Sequence, residues 1–62
     1  MHDYRRGEVV RWRVTEWASL PATVTAAQSP KHPGEVRITY YHPMLRAEQS
    51  AWIDPNELRR LP

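Results

Sequence analysis

The sequence predicts an all-β fold: one small barrel of five antiparallel strands, with a single 3₁₀ turn before the last strand. Three observations predict it. Apolar and polar residues alternate with a period of two along much of the chain, which is typical of half-buried strands. Clusters of proline, glycine and serine separate these segments. The 62 residues are enough for one domain at most, whose core we place at about residues 6–61.

The first strand is predicted over residues 7–14. Within it, Trp12 on one face alternates with Arg11 and Arg13 on the other. This pattern predicts a half-buried strand with a basic outer face. The residues that follow, 15–21, are predicted to form a long loop.

That loop carries Trp17 and Leu20, which we expect to fold back onto the barrel. The second strand is predicted over residues 22–27, with Val24 facing inward between outward-facing threonines. Residues 29–34, with two prolines and a glycine, form the clearest turn signal in the chain.

The third strand is predicted over residues 35–41, where apolar residues alternate with Arg37 and other outward-facing residues. It should form a hairpin with the second strand. Residues 42–49 are predicted to form a loop with one helical turn. Pro43 disfavours continued strand pairing, and the residues after it have fair helix propensity. A short fourth strand is predicted over residues 50–54.

The chain near Asp54 has the chemistry of a helix start. Asp54 can cap, Pro55 suits the first helical position, and Glu57 stands three residues after the cap. Few residues remain beyond it, so a single 3₁₀ turn is expected. Residues 59–61 form the predicted fifth strand.

A domain of this size without cysteine has no disulfide or thiolate metal site to stabilise it. It therefore depends on a well-packed core or on association with further copies of the chain. The expected core residues are Val9, Val10, Trp12, Val14, Leu20, Val24, Val36, Ile38, Tyr40, Ile53, Leu58 and Leu61.

This arrangement of strands resembles the Src-homology-3-like barrels, and the local sequence is similar to that of their Tudor-like members. The segments that carry the resemblance are residues 20–24, 36–40 and 52–59. The resemblance implies a binding module, because such barrels bind nucleic acids, read methylammonium groups or dock proteins. Fold alone does not choose among these functions.

One enzyme family, the type II dihydrofolate reductases, shares the plan and builds an active site across a tetramer. Its Val-Gln-Ile-Tyr signature corresponds here to residues 51–54, where only Ile53 agrees. An oligomeric enzyme with a shared pore is therefore the least favoured alternative. We expect no catalytic residues and no cofactor. We also expect no metal site, since His2, His32 and His42 are far apart in sequence.

The leading hypothesis is a non-enzymatic module that binds nucleic acid through an arginine-rich face with aromatic stacking. The predicted nucleic-acid contacts are Arg11, Arg13, Arg37, Arg59 and Arg60, and the predicted aromatic contacts are Tyr41, Trp52 and Trp17. Arginine suits phosphate, and aromatic rings stack with bases. We expect Trp52 to be partly exposed near Tyr41.

Several alternatives stay open. With a net charge of only +2, the arginines could equally form a solvated face balanced by glutamates. An exposed aromatic patch or cage would instead dock a protein or peptide. The polar N-terminus and the absence of a long apolar run predict a cytoplasmic protein without membrane contact. The excess of arginine over lysine is typical of a bacterial, GC-rich genome.

Overall fold

A computed structural model describes residues 4–61 and confirms the all-β prediction. Five antiparallel strands form one sheet in the order β4-β3-β2-β1-β5, and a 3₁₀ turn precedes the last strand. Within residues 4–61 the sheet is open, with β4 and β5 at its edges. The elements are β1 (Val9–Arg13), β2 (Ser19–Ala26), β3 (Val36–His42), β4 (Ala47–Ile53), the 3₁₀ turn (Pro55–Glu57) and β5 (Leu58–Arg60).

The first four strands form an antiparallel meander, and β5 returns to pair with the far side of β1. The predicted hairpin of β2 and β3 is confirmed, with Val24 opposite Ile38 and a bulge between Val24 and Ala26. Two backbone hydrogen bonds extend the pairing of β1 with β2, from Gly7 to Val24 and from Val24 to Glu8. Gly7 adopts φ +90°, a conformation that glycine reaches without steric cost.

Seven apolar side chains from all five strands form the core on one face of the sheet. They are Val10, Ala22, Val24, Val36, Ile38, Ile53 and Leu58. Trp12 and Tyr40 pack against this cluster. Their two rings meet edge to face, with centroids 4.8 Å apart. The core thus combines the inward residues of the alternating strands β1 to β3 with Ile53 of β4 and Leu58 of β5.

Three residues expected in the core are exposed instead. Val9 is 50% exposed because it neighbours the fully buried Val10, and successive side chains of a strand point to opposite faces. Val14 lies beyond the end of β1, and Leu61 lies beyond the end of β5; each is 44% exposed. The paired sheet ends before either position, so neither side chain reaches the core.

The connection between β1 and β2 is shorter than expected. The loop prediction for residues 15–21 is wrong at its end, because β2 begins at Ser19. Pro21 belongs to the strand opposite Arg11, whereas the pairing of β2 with β3 starts only at Ala22. At Pro21 the strand therefore has a partner on one side only, which is where a sheet tolerates proline.

The prediction of a helical turn within residues 42–49 is also wrong. The strands β3 and β4 form a hairpin in perfect register, from Val36 opposite Ile53 to His42 opposite Ala47. The turn is closed by a 2.8 Å hydrogen bond from the Arg46 backbone N–H to the His42 carbonyl. Arg46 adopts φ +52° there.

The helix-start prediction at Asp54 is confirmed. The Asp54 carboxylate accepts a 2.9 Å hydrogen bond from the backbone N–H of Asn56, and Pro55 opens the 3₁₀ turn. The turn delivers Leu58 into the core, so β5 begins one residue earlier than predicted. Over residues 4–61 the fold includes no helix with the length and apolar character needed to cross a membrane.

Candidate nucleic-acid interface

The outer face of β1 carries two of the predicted arginines. Because Val10 points into the core, Arg11 and Arg13 point to the opposite face, and both are exposed. The strand β5 pairs with β1 so that Arg59 lies directly opposite Arg11. Three guanidinium groups, from positions far apart in sequence, therefore belong to one corner of the sheet.

The short loop between β1 and β2 stands beside this corner. The backbone N–H groups of Val14 and Thr15 both donate to the carbonyl of Ala18, at 3.0 and 3.1 Å. The Thr15 hydroxyl accepts a 3.2 Å hydrogen bond from the backbone N–H of Trp17. These bonds turn the chain tightly and hold Trp17 at the tip, where its side chain is 92% exposed. The expectation that Trp17 folds back onto the sheet is wrong.

The strands β1 and β5 and the β1–β2 loop together border a shallow concavity of about 200 Å³. Its walls include Arg11, Arg13 and Arg59 from the strands, and Glu16 and Trp17 from the loop. The site thus combines three positive charges with an indole ring that is open to solvent. Phosphate and a stacked base are the ligand groups that this combination suits.

The arginines of the concavity are poorly neutralised. Within the part of the chain that the structure describes, no carboxylate lies within ion-pair distance of Arg11, Arg13 or Arg59. The Nε of Arg11 donates to the hydroxyl of Ser19 at 2.8 Å, which fixes its side chain without cancelling its charge. Like charges directly opposite each other on paired strands are destabilising, as Arg11 and Arg59 are here. An anion bound between them would relieve that repulsion.

Arg60 is not part of this corner. Its Nε donates to the Glu8 carboxylate at 2.8 Å, and its guanidinium lies over the ring of Tyr4 at 4.4 Å from the centroid. Tyr4 in turn donates its hydroxyl to the Leu58 carbonyl. These contacts tie the segment before β1 to β5. The structure thus gives Arg60 a contact within the fold that the sequence did not suggest.

Arg37 and Trp52 lie opposite each other on β3 and β4, away from the concavity. Trp52 is partly buried, and its ring stacks on His32 with centroids 4.4 Å apart and planes at 6°. His32 also contacts Glu35, its Nδ1 lying 3.2 Å from the carboxylate. One face of Trp52 is therefore covered by the connection between β2 and β3.

Tyr41 is exposed on the same face of the hairpin, but it lies opposite Glu48. It stands four residues from Arg37, the partner of Trp52, which is about 13 Å along the strand. The expected proximity of Trp52 and Tyr41 is therefore absent. Of the three predicted aromatic contacts, only Trp17 joins the arginine corner.

Sequence reasoning did not single out Glu16 or Ser19 as site residues. Both reach the concavity because β2 starts at Ser19 and shortens the loop. The sequence offered one indication of their role. Both lie within two residues of Trp17, in a segment between β1 and β2 that is too short to place them far from that ring. His2 lies outside the described residues; over residues 4–61 no group of three or more potential metal ligands is close enough to hold a metal ion.

Comparisons of the chain with family models, with curated proteins and with solved structures give no match. The candidate site therefore rests on the geometry of this chain alone.

Proposed function

We propose that this protein is a small non-enzymatic binding module that contacts nucleic acid through the corner formed by β1, β5 and the β1–β2 loop. The observation that carries the proposal is the meeting of Arg11, Arg13 and Arg59 with the exposed ring of Trp17 around one concavity. As part of the same proposal, the module acts in the cytoplasm.

The chemistry of the corner suits a phosphate backbone. Guanidinium groups donate two parallel hydrogen bonds to a phosphate, and binding releases the counterions condensed on the nucleic acid. The arginines project from paired strands rather than from a mobile tail. Their backbone positions are therefore fixed before binding, which lowers the entropic cost of ordering them.

We also propose that the fold belongs to the Src-homology-3-like group. Support comes from the return of β5 to β1, from the 3₁₀ turn that precedes it and from the meander of the other strands. In this proposal the open sheet bends so that both of its halves cover one core. Nucleic-acid binding is one of the functions that this resemblance implies.

Matched charge removals test the proposed function. Binding of fluorescein-labelled single-stranded and duplex oligonucleotides would be followed by anisotropy between about 50 and 200 mM salt, a range over which phosphate contacts weaken strongly. We expect Arg13→Gln and Arg59→Gln each to weaken binding and to reduce the logarithmic salt slope by roughly 0.7–0.9. Arg37→Gln, which removes the same charge away from the concavity, should leave both nearly unchanged.

Three results would contradict the proposal. The first is an absence of binding to any oligonucleotide at the low-salt end. The second is equal losses for Arg37→Gln and Arg13→Gln, which would indicate a diffuse effect of net charge. The third is a partner found to bind with little salt dependence, which would favour the alternative of a protein or peptide docked on an aromatic surface.

A further inference from the structure

Glu16 is the acidic member of the concavity and has no place in phosphate binding. It follows Thr15 in the β1–β2 loop, precedes Trp17, and is exposed. Among residues 4–61 it has no ion pair or hydrogen bond through its side chain. A carboxylate here repels phosphate but accepts hydrogen bonds from a neutral group. Its position beside Trp17 therefore fits a ligand part that stacks on the indole and offers donors at its edge.

The size of the concavity restricts that ligand part. Its volume of about 200 Å³ is below the roughly 300–1,000 Å³ of pockets for drug-sized molecules. One nucleobase is a suitable occupant, with the rest of the strand following the outer face. A base inside a duplex has both faces stacked and its pairing edge occupied. Stacking on Trp17 therefore requires an unpaired base.

The edges of the four bases differ in how well a carboxylate can bind them. It has only acceptors, so it favours an edge that carries adjacent donors, as in its bidentate pairing with arginine. The Watson–Crick edge of guanine presents the N1–H and the N2 amino group side by side. Adenine presents one donor beside one acceptor, and cytosine, uracil and thymine present one donor with two acceptors; the carboxylate would repel these acceptors.

On the basis of the proposed function, we infer that the concavity selects an unpaired guanine in single-stranded nucleic acid. The guanine ring stacks on Trp17 and donates from N1 and N2 to the Glu16 carboxylate. Arg13 and Arg59 hold the neighbouring phosphates. Strand affinity thus comes from the arginines, and base preference comes from the loop.

The test uses seven-nucleotide strands with one variable centre, measured by anisotropy at a fixed low salt concentration. The strands are all-thymidine DNA and the same strand with a central dG, dA, dC or deoxyinosine, together with uridine RNA carrying a central guanosine or uridine. We expect the central guanine to tighten binding roughly tenfold over thymine, because a bidentate contact to a base edge discriminates strongly against the wrong base. Deoxyinosine, which lacks the N2 amino group, should fall between them.

Two variants assign the preference to its residues. Glu16→Gln should remove most of the guanine preference while the affinity for the thymidine strand rises, because a negative charge is lost. Trp17→Ala should weaken binding of every strand, and its exposure means that circular dichroism and thermal melting should stay as in the unmodified protein.

The outcomes separate this inference from the proposed function. Salt-dependent binding with no guanine preference would overturn the inference and leave the proposed function standing. A guanine preference that survives Glu16→Gln would overturn the role of the carboxylate. Equal affinity for the single-stranded and duplex oligonucleotides of the salt series would overturn the requirement for an unpaired base. Failure of every strand to bind would overturn the proposed function itself. The DNA and RNA arms show which backbone the module accepts.

Discussion

Val9 and Val10 are neighbours of the same residue type in opposite environments. Val10 is fully buried in the core, whereas Val9 is half exposed on the outer face opposite Thr23. The alternation of β1 predicted one inward and one outward position, but the apolar character of both valines suggested that both were buried. Hydrophobicity alone did not resolve them, because a strand with a buried face can carry an apolar residue on its solvent face.

The two valines provide a matched pair for measuring how much a buried side chain contributes to the free energy of unfolding. Val10→Ala deletes two buried methyl groups and leaves a cavity, which should lower the free energy of unfolding by about 2–3 kcal/mol. Val9→Ala should cost less than about 1 kcal/mol, mainly through lower strand propensity. Urea unfolding monitored by tryptophan fluorescence gives both values. Equal losses would mean that β1 does not present its two faces as the structure shows.

At the level of the residue, the arginine corner could be found only in part from the sequence. The outward alternation of Arg11 and Arg13 placed them on one face. The addition of Arg59 depended on the pairing of β5 with β1, a contact between distant segments that periodicity does not encode. Arg60 differs from Arg59 by one position, which in a strand reverses the direction of the side chain.

Among the elements, β4 was the hardest to predict. Its first four residues, 47–50, are all exposed and polar or small, so they show no alternation. Their extended conformation comes from pairing with β3 across the hairpin, which overrides a fair local helix propensity. The elements with an inward and an outward face, β1 to β3, were recognisable. The edge strand β4 was recognised only in its second half, residues 50–53, where the chain again contacts the core through Ile53.

The turn between β3 and β4 stores a small backbone strain that can be measured. Arg46 adopts φ +52°, a left-handed conformation that costs a non-glycine residue about 1–2 kcal/mol. Arg46→Gly removes this cost but adds about 0.5–1 kcal/mol of unfolded-state entropy. We therefore expect a net gain in stability of about 0.5–1 kcal/mol, measured by urea unfolding.

Arg46→Ala is the control for the turn. It removes the same side chain but keeps the Cβ atom that makes the conformation costly, so it should give no gain. If Arg46→Gly destabilises the protein as much as a glycine placed within a strand, the turn lacks the left-handed residue.

For the whole molecule, the sheet order separates two kinds of pairing. The strands β2, β3 and β4 are joined by neighbouring hairpins, whereas β5 joins residues remote in sequence. The hydrogen bond between Arg60 and Glu8, for example, spans 52 positions. The sequence predicted the hairpin of β2 and β3 because turn residues separate its strands. The place of β5 follows from the Leu58 side chain entering a core that the other strands have already shaped.

This order has a consequence for the time course of folding. The hairpins close short loops and should form first, while the docking of β5 closes a long one and should follow the transition state. Leu58→Val should therefore raise the unfolding rate and leave the folding rate nearly unchanged, whereas Ile38→Val, within the hairpins, should slow folding. Stopped-flow chevrons of the two variants test this, and equal slowing of folding by both would place β5 in the nucleus. A strand that joins last is the first that the native state can release, and its release would separate Arg59 from Arg11 while the meander stays paired.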